Sequence, residues 1–219
     1  MIDAITLEVM WNRLIAVVNE QAAALMRTSF TTIVRESGDL SAGVFDTRGN
    51  MIAQAVTGTP GHINAMATCI HHFLSVYPAD TLQPGDVLIT NDPQKTSGHL
   101  HDFTVITPIF RPPSPVPSSP TLVGFFGNTC HVLDIGGRGL GTDAHSVYEE
   151  GLFVPITKLY DAGVENRELL KLLAANVRTP EPVLGDIHAQ VAGNDVGGRR
   201  LLEFMDEFGL ESLEPLADA

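Results

Sequence analysis

The sequence predicts an α+β fold, in which a mixed sheet with a β-hairpin packs against a long N-terminal helix and against C-terminal helices. Apolar residues recur at three- and four-residue steps near both ends of the chain, as in amphipathic helices. Short aliphatic and β-branched runs, bounded by Gly, Pro, Asn and Asp, lie between them and indicate strands. With 44% hydrophobic residues in a chain of 219, we expect one domain over residues 1–219.

The first half of the chain predicts a helix, a hairpin and a second helix. Leu7, Met10 and Leu14 begin the apolar stripe of a helix over residues 6–28. Strands over residues 40–45 and 51–56 flank a turn whose Gly and Asn tolerate a positive φ. A second amphipathic helix follows, and we place it at residues 63–77 because Pro78 helps to end it.

The second half begins with strands and ends with helices. We expect strands over residues 87–89, 103–110 and 122–133, and helices over about 165–177 and 180–208. The insert at residues 111–120 holds five prolines and three serines, which is typical of an exposed loop.

Glycines interrupt the pattern of the last predicted helix, and the segment after it is acidic. Gly193, Gly197 and Gly198 predict a kink or break in the helix. Residues 210–219 are acidic and lack a core pattern, so we expect a flexible tail there.

Charge and hydropathy exclude several classes of partner. Thirteen Lys and Arg against 26 Asp and Glu leave a net charge of -13, which would repel nucleic acid and anionic membranes. The sequence lacks an apolar stretch of the roughly 20 residues that a spanning helix needs, so we expect a cytoplasmic protein. Cys69 and Cys130 sit within apolar patterns and are expected to be small core residues.

The densest polar cluster lies around Asp92, His99, His101 and Asp102. Imidazole and carboxylate together suit a divalent ion such as zinc, manganese or iron. If residues 99–102 are extended, His99 and His101 share one face, whereas a turn would bring His99 and Asp102 together. The residue pattern leaves both arrangements open.

Two further segments carry similar side chains. His131 and Asp134 stand where a strand enters a Gly-rich loop, and Glu36 and Asp39 precede the hairpin, with Asp46 in its turn. Metal sites are commonly assembled from such separate segments. Against this, Asp39 and Asp46 are explained equally well as turn residues, and a single histidine is more often a surface or hydrogen-bonded core residue than a ligand.

Other motifs of catalysis are missing from the sequence. The Gly-rich run at residues 136–141 is not followed by the Lys-Ser or Lys-Thr of a phosphate-binding loop, so nucleotide binding is not indicated. A GxSxG nucleophile elbow does not occur either.

Many short segments, in order along almost the whole chain, resemble the N-terminal part of the hydantoinase B/oxoprolinase family. This family includes N-methylhydantoinase B, the B-type module of 5-oxoprolinase and the large subunits of acetone and acetophenone carboxylases. The matching segments are Arg35-Glu36, Asp39-Leu40-Ser41, Phe45-Asp46, Gly61-His62-Ile63, Gly85-Asp86, Asn91-Asp92-Pro93, Gly98-His99-Leu100 with Asp102, His131, Asp134-Ile135-Gly136-Gly137, Glu150-Gly151-Leu152, Lys158-Leu159-Tyr160, Asn176-Val177-Arg178-Thr179-Pro180, Gly185-Asp186 and Ala189-Gln190-Val191.

The resemblance implies a hydrolase that opens the C–N bond of a cyclic amide, such as a hydantoin or 5-oxoproline. ATP would be used by a hydantoinase A-type partner rather than bound by this chain, within a homo- or hetero-oligomer. The implied ligands of a divalent metal are Glu36, His99, Asp102 and His131. Asp39, Asp46, Asp92, His101 and Asp134 are then alternative or supporting ligands.

The implied catalytic residues are Glu36, Asp92 and His101, with Glu36 or Asp92 as a general base. The chain departs from the family in length, since B-type subunits are usually more than twice as long, and in having Val132 where many relatives place a histidine. A ketone carboxylase subunit and a truncated, non-catalytic assembly module therefore remain as alternatives.

Overall fold

The structure is a computed structural model that describes residues 3–113, 119–139, 141 and 143–219. Its elements in chain order are α1 (Ala4–Thr28), α2 (Thr32–Arg35), β1 (Leu40–Phe45), β2 (Met51–Gln54), α3 (Pro60–Val76), a 3₁₀ turn (Ala79–Thr81), β3 (Val87–Thr90), β4 (Asp102–Arg111), β5 (Thr121–His131), α4 (Val147–Glu150), β6 (Thr157–Asp161), β7 (Val164–Glu165), α5 (Arg167–Asn176), α6 (Pro180–Glu207) and α7 (Glu214–Ala217). The α+β class is confirmed.

Seven strands form one sheet in the order β2-β1-β5-β4-β3-β6-β7. Every neighbouring pair is antiparallel, so the expectation of a mixed sheet is wrong for the strands that the structure describes. Hairpins account for much of this, because a short connection reverses the chain and pairs β1 with β2 and β6 with β7. The long strands β4 and β5 pair at the centre of the sheet.

Helices cover both faces of the sheet. Side chains alternate along a strand, so Phe126 of β5 lies in one core with α1 and α6, whereas its neighbour Phe125 lies in another core with α3. A third core joins β3 and β4 to α5 and α6. None of the described helices has the length and apolar character needed to cross a membrane.

Helix α6 runs without a break from Pro180 to Glu207, so the expected break at its glycines is not observed. These glycines instead allow close packing. A Cβ at Gly197 would stand 2.7 Å from the ring of Phe126, and one at Gly193 would stand 3.2 Å from the Cβ of Leu25 in α1. The absence of a side chain therefore lets α6 approach both the sheet and α1.

Three further segments are a hairpin at the edge of the sheet, the C-terminal segment and the insert between β4 and β5. The edge hairpin of β6 and β7 was not predicted from the sequence. The segment expected to be a flexible tail instead carries α7, and its Leu213 and Leu216 are buried in the core with α1 and α6. The Pro/Ser-rich insert at 111–120 connects β4 to β5, and its residues 114–118 lie outside the described residues.

Candidate metal centre

The expected polar side chains meet at one end of the two central strands. Asp102 is the first residue of β4 and His131 is the last residue of β5, and the two are register partners. His99 lies in the turn before β4, where the N–H of Asp102 bonds the carbonyl of His99 at 3.3 Å. The turn arrangement is therefore the one observed, because it places His99 Nε2 3.1 Å from Asp102 Oδ2.

Asp102 is the centre of the site. Its side chain is fully buried and is surrounded by three imidazoles. His62 Nε2 donates a hydrogen bond to Oδ2 at 3.1 Å, and His131 Nδ1 lies 3.3 Å from Oδ1. Because a buried carboxylate without partners would be strongly destabilised, this ring of nitrogen donors explains how the charge is tolerated.

Two groups of side chains bring their donor atoms within 4.8 Å of one another, namely His99–Asp102–His131 and His99–His101–Glu150. The rings of His101 and His131 stack at 5.1 Å between centroids, with 9° between their planes. Four atoms of the cluster are buried and lack a hydrogen-bond partner among the described residues: His62 Nδ1, His99 Nδ1, His101 Nε2 and Asp102 Oδ1. His62 belongs to neither group of donor atoms, whereas His99, His101 and Asp102 do. Their unpaired nitrogen and oxygen atoms fit the ligand set of a divalent ion.

The ionisation states suit that role. Burial alone would raise the pKa of Asp102, but the imidazoles of His131 and His62 lower it to about 2, so the carboxylate is ionised at neutral pH. Burial lowers the pKa of His101, and the neighbouring His131 and His99 lower it further. His101 is therefore neutral at pH 7, the form that binds a metal or accepts a proton.

Neither Asp39 nor Glu36 belongs to the two groups of donor atoms, but Asp39 lies beside the cluster. Glu36 is exposed at the end of α2. Asp39 follows a turn at Gly38, whose φ of 64° reverses the chain direction, and its Oδ2 lies 3.9 Å from His131 Nδ1. Its other oxygen, Oδ1, lies 4.0 Å from His62 Nε2.

Three other carboxylates from the sequence analysis are held in local loop structure instead. Asp92 accepts the N–H of Gln94 and pairs with Lys95 at 3.1 Å. Asp46 closes the β1–β2 turn by accepting hydrogen bonds from the backbone N–H groups of Arg48 and Asn50. This is the role of a turn residue that the sequence analysis gave as its alternative. Asp134 accepts the N–H of Gly136 and pairs with Arg178. None of these three belongs to the two groups of donors.

Sequence reasoning missed His62 and Glu150 as members of the site. Glu150 Oε1 accepts the backbone N–H of Leu100 at 2.6 Å and lies 3.8 Å from His101 Nδ1. Both residues occur in segments that carry the resemblance described in the sequence analysis, and this was the only signal that pointed to them. The amide of Asn91 donates to the carbonyls of Leu100 and Leu152, so it anchors the turn that carries His99 and His101 to the loop after α4.

Comparison with known proteins places the whole described chain in a family. The profile of the family described as Hydantoinase B/oxoprolinase matches residues 3–219. A Pseudomonas sp. protein provisionally assigned as the B-type subunit of a D-/L-hydantoinase is 32% identical over 223 residues, covering 99% of this chain and 36% of that protein. The 5-oxoprolinase of Saccharomyces cerevisiae is 31% identical over 225 residues, covering 97% of this chain and 17% of the yeast protein.

A solved structure is similar to this chain over almost its whole length. The crystal structure of the ATP-dependent caprolactamase from Pseudomonas jessenii superposes with a TM-score of 0.84 and 28% identity, covering 99% of this chain and 36% of that chain. The present chain thus spans about a third of the hydantoinase protein and of the caprolactamase chain. The cluster around Asp102 lies within the matched region, and the chain belongs to the Hydantoinase B/oxoprolinase family.

Proposed function

We propose that this chain carries the metal centre of a B-type subunit in an ATP-dependent enzyme that hydrolyses a cyclic amide. The observation that carries the proposal is the convergence of His99, Asp102 and His131, whose donor atoms lie within 4.8 Å of one another. The names of similar proteins support the reaction class, since they include a hydantoinase, a 5-oxoprolinase and an ATP-dependent caprolactamase.

The proposed ligands are Asp39, His99, Asp102 and His131. Asp39 takes the place expected for Glu36, because its carboxylate faces His131 while Glu36 is exposed. Two imidazoles and two carboxylates suit zinc, manganese or iron. An ion bound there would polarise a carbonyl group or lower the pKa of a bound water.

His101 is the proposed proton acceptor in place of Glu36 or Asp92. It is 3% exposed and neutral at pH 7, and its Nε2 is buried without a partner among the described residues. Glu150 Oε1, 3.8 Å from Nδ1, favours a proton on Nδ1 and so leaves the lone pair on Nε2 free. Asp92 is less suited to this role because Lys95 pairs with its carboxylate.

The proposed partner is a hydantoinase A-type protein that uses ATP, in a hetero-oligomer. One protein similar to this chain is provisionally assigned as a B-type hydantoinase subunit, and the similar caprolactamase is ATP-dependent. The acidic chain, with its net charge of -13, favours a partner surface with an excess of Lys and Arg.

Metal analysis tests the centre directly. We expect close to one equivalent of zinc, manganese or iron in the purified chain, and loss of that metal in a His99→Ala/His131→Ala double variant. His71→Gln is the matched control, because His71 is exposed on α3 away from the cluster. A chain that stays free of metal after reconstitution would favour the non-catalytic assembly module.

The reaction class is tested by co-expression with an A-type partner. We expect ATP consumption coupled to ring opening of a cyclic amide, and loss of ring opening in the double variant. Incorporation of labelled bicarbonate into a ketone, without ring opening, would identify a ketone carboxylase instead.

A further inference from the structure

We infer that Thr59 and His62, at the start of α3, are positioning residues that orient Asp39 and Asp102 toward the metal. This inference rests on the metal centre proposed above, and it adds two residues outside the ligand set. Neither side chain would contact the ion, because each acts through a carboxylate.

The two carboxylates are held in the same manner. The hydroxyl of Thr59 donates to Asp39 Oδ1 at 2.7 Å, while Asp39 Oδ2 faces His131. His62 Nε2 donates to Asp102 Oδ2 at 3.1 Å, while Asp102 Oδ1 faces His131 at 3.3 Å and lacks a hydrogen-bond partner among the described residues. In each case a residue at the start of α3 bonds one carboxylate oxygen while the other oxygen faces His131. Asp102 Oδ2 differs from Asp39 Oδ1 in that it also lies 3.1 Å from His99 Nε2.

The hydrogen bond of Thr59 differs from the ordinary role of a threonine at this position. Thr59 is the residue that precedes helix α3, where a hydroxyl commonly accepts an N–H of the first helical turn. Its side chain makes no such capping bond and donates to Asp39 instead. The helix start thus loses a common stabilising contact, and the carboxylate gains one.

Burial protects the hydrogen bond between His62 and Asp102 from water. His62 is 4% exposed and Asp102 is fully buried, so water does not compete for this contact. Because a carboxylate only accepts, the proton of His62 must be on Nε2. Partners of this kind hold a metal-binding carboxylate in one orientation, and their removal typically weakens metal binding about 10- to 100-fold.

The test compares metal affinities, because affinity reports orientation without requiring the A-type partner or the substrate. Cobalt(II) and zinc(II) dissociation constants would be measured by chelator competition for the wild type, His62→Ala and His62→Gln. The Gln amide can donate from nearly the place of Nε2, so we expect roughly tenfold or greater weakening in H62A and at most about threefold in H62Q. Thr59→Val and Thr59→Ser form the second pair, with Ser retaining the donor.

A spectroscopic readout separates orientation from general loss of structure. The cobalt(II) absorption bands should shift or broaden in H62A and T59V but not in H62Q, T59S or the control H71Q. Equal affinities and spectra in the wild type, H62A and T59V would overturn the positioning role while leaving the metal centre intact. Absence of metal binding by the wild type would instead overturn the metal centre, and with it the positioning role.

Discussion

At the residue scale, the site is defined by which oxygen of each carboxylate is free. Glu36, Asp39, Asp92 and Asp102 look alike in the sequence, yet only Asp39 and Asp102 reach the histidines. Their difference comes from the fold: Asp39 is adjacent to the last residue of β5, whose N–H bonds the carbonyl of Asp39 at 3.2 Å. This strand pairing joins residues far apart in the sequence, so the local sequence around Asp39 gives no sign of it. The family resemblance had implied Glu36 as the ligand instead.

Paired substitutions distinguish the two carboxylates before the hairpin. We expect Glu36→Gln to retain the metal content of the wild type, because Glu36 is exposed at the end of α2, whereas Asp39 lies 3.9 Å from His131. Asp39→Asn should weaken metal binding by at least about tenfold, since it removes a charged oxygen beside His131. Chelator competition with each purified variant measures both effects. If Glu36→Gln weakened metal binding and Asp39→Asn did not, Glu36 would be the ligand.

His62 shows a second limit of sequence reasoning at this scale. A single histidine near the start of an amphipathic helix resembles an ordinary core or surface residue, and its partner Asp102 is 40 residues away in the sequence. In contrast, His99 and Asp102 lie three residues apart, so a contact in a turn was one of the two arrangements that the residue pattern left open, and it is the one observed. Spacing thus limited the local part of the cluster to two arrangements, and it carried no information on contacts between residues far apart in the sequence.

At the scale of elements, periodicity predicted the four long helices α1, α3, α5 and α6 and the first hairpin well, because each has a strong apolar pattern of its own. The short helices α2, α4 and α7 were not predicted. The β6–β7 hairpin was missed since β6 buries only Leu159 among its five residues and β7 has only two residues. Strand direction was also missed. It depends on how the connections cross the sheet, and that information is not carried by any single strand.

The glycines of α6 lead to a prediction at this scale. Gly197→Ala should lower the free energy of unfolding by about 1–3 kcal/mol, because the new Cβ would stand 2.7 Å from Phe126 and force the packed helix away from the sheet. Chemical denaturation measures the change.

Gly61→Ala is the matched control for this substitution. Gly61 is also helical, but a Cβ there meets nothing within 4 Å, so its stability should stay the same or rise by up to about 1 kcal/mol. If G197A were as stable as the wild type, α6 would have to be free to shift without loss of packing.

At the scale of the whole molecule, the centre joins parts of the chain that are far apart in sequence. The side chains of the cluster come from the segments around Asp39, His62, His99 and His131, together with Glu150 from α4. An ion that binds only the folded arrangement stabilises the whole chain by mass action. The extent of this effect depends on the free metal concentration and is therefore measurable.

Thermal unfolding with and without metal provides the measurement. At a zinc concentration 100 times the dissociation constant, we expect about 2.7 kcal/mol of added stability, or a Tm higher by about 5–10 °C for a chain of this size. The increase should disappear in the His99→Ala/His131→Ala variant and remain in His71→Gln. An equal rise in all three proteins would indicate nonspecific binding to the acidic surface.

The pairing of Asp102 with His131 at the centre of the sheet also bears on how the protein folds. The full set of donors converges only after β1, β4 and β5 have paired, and long-range pairing of this kind is slow. An ion at the centre would accordingly do little to accelerate assembly of the chain. The ion would instead slow unfolding, because the sheet could not open at its middle without first releasing the ion. The native state would therefore persist longer once formed.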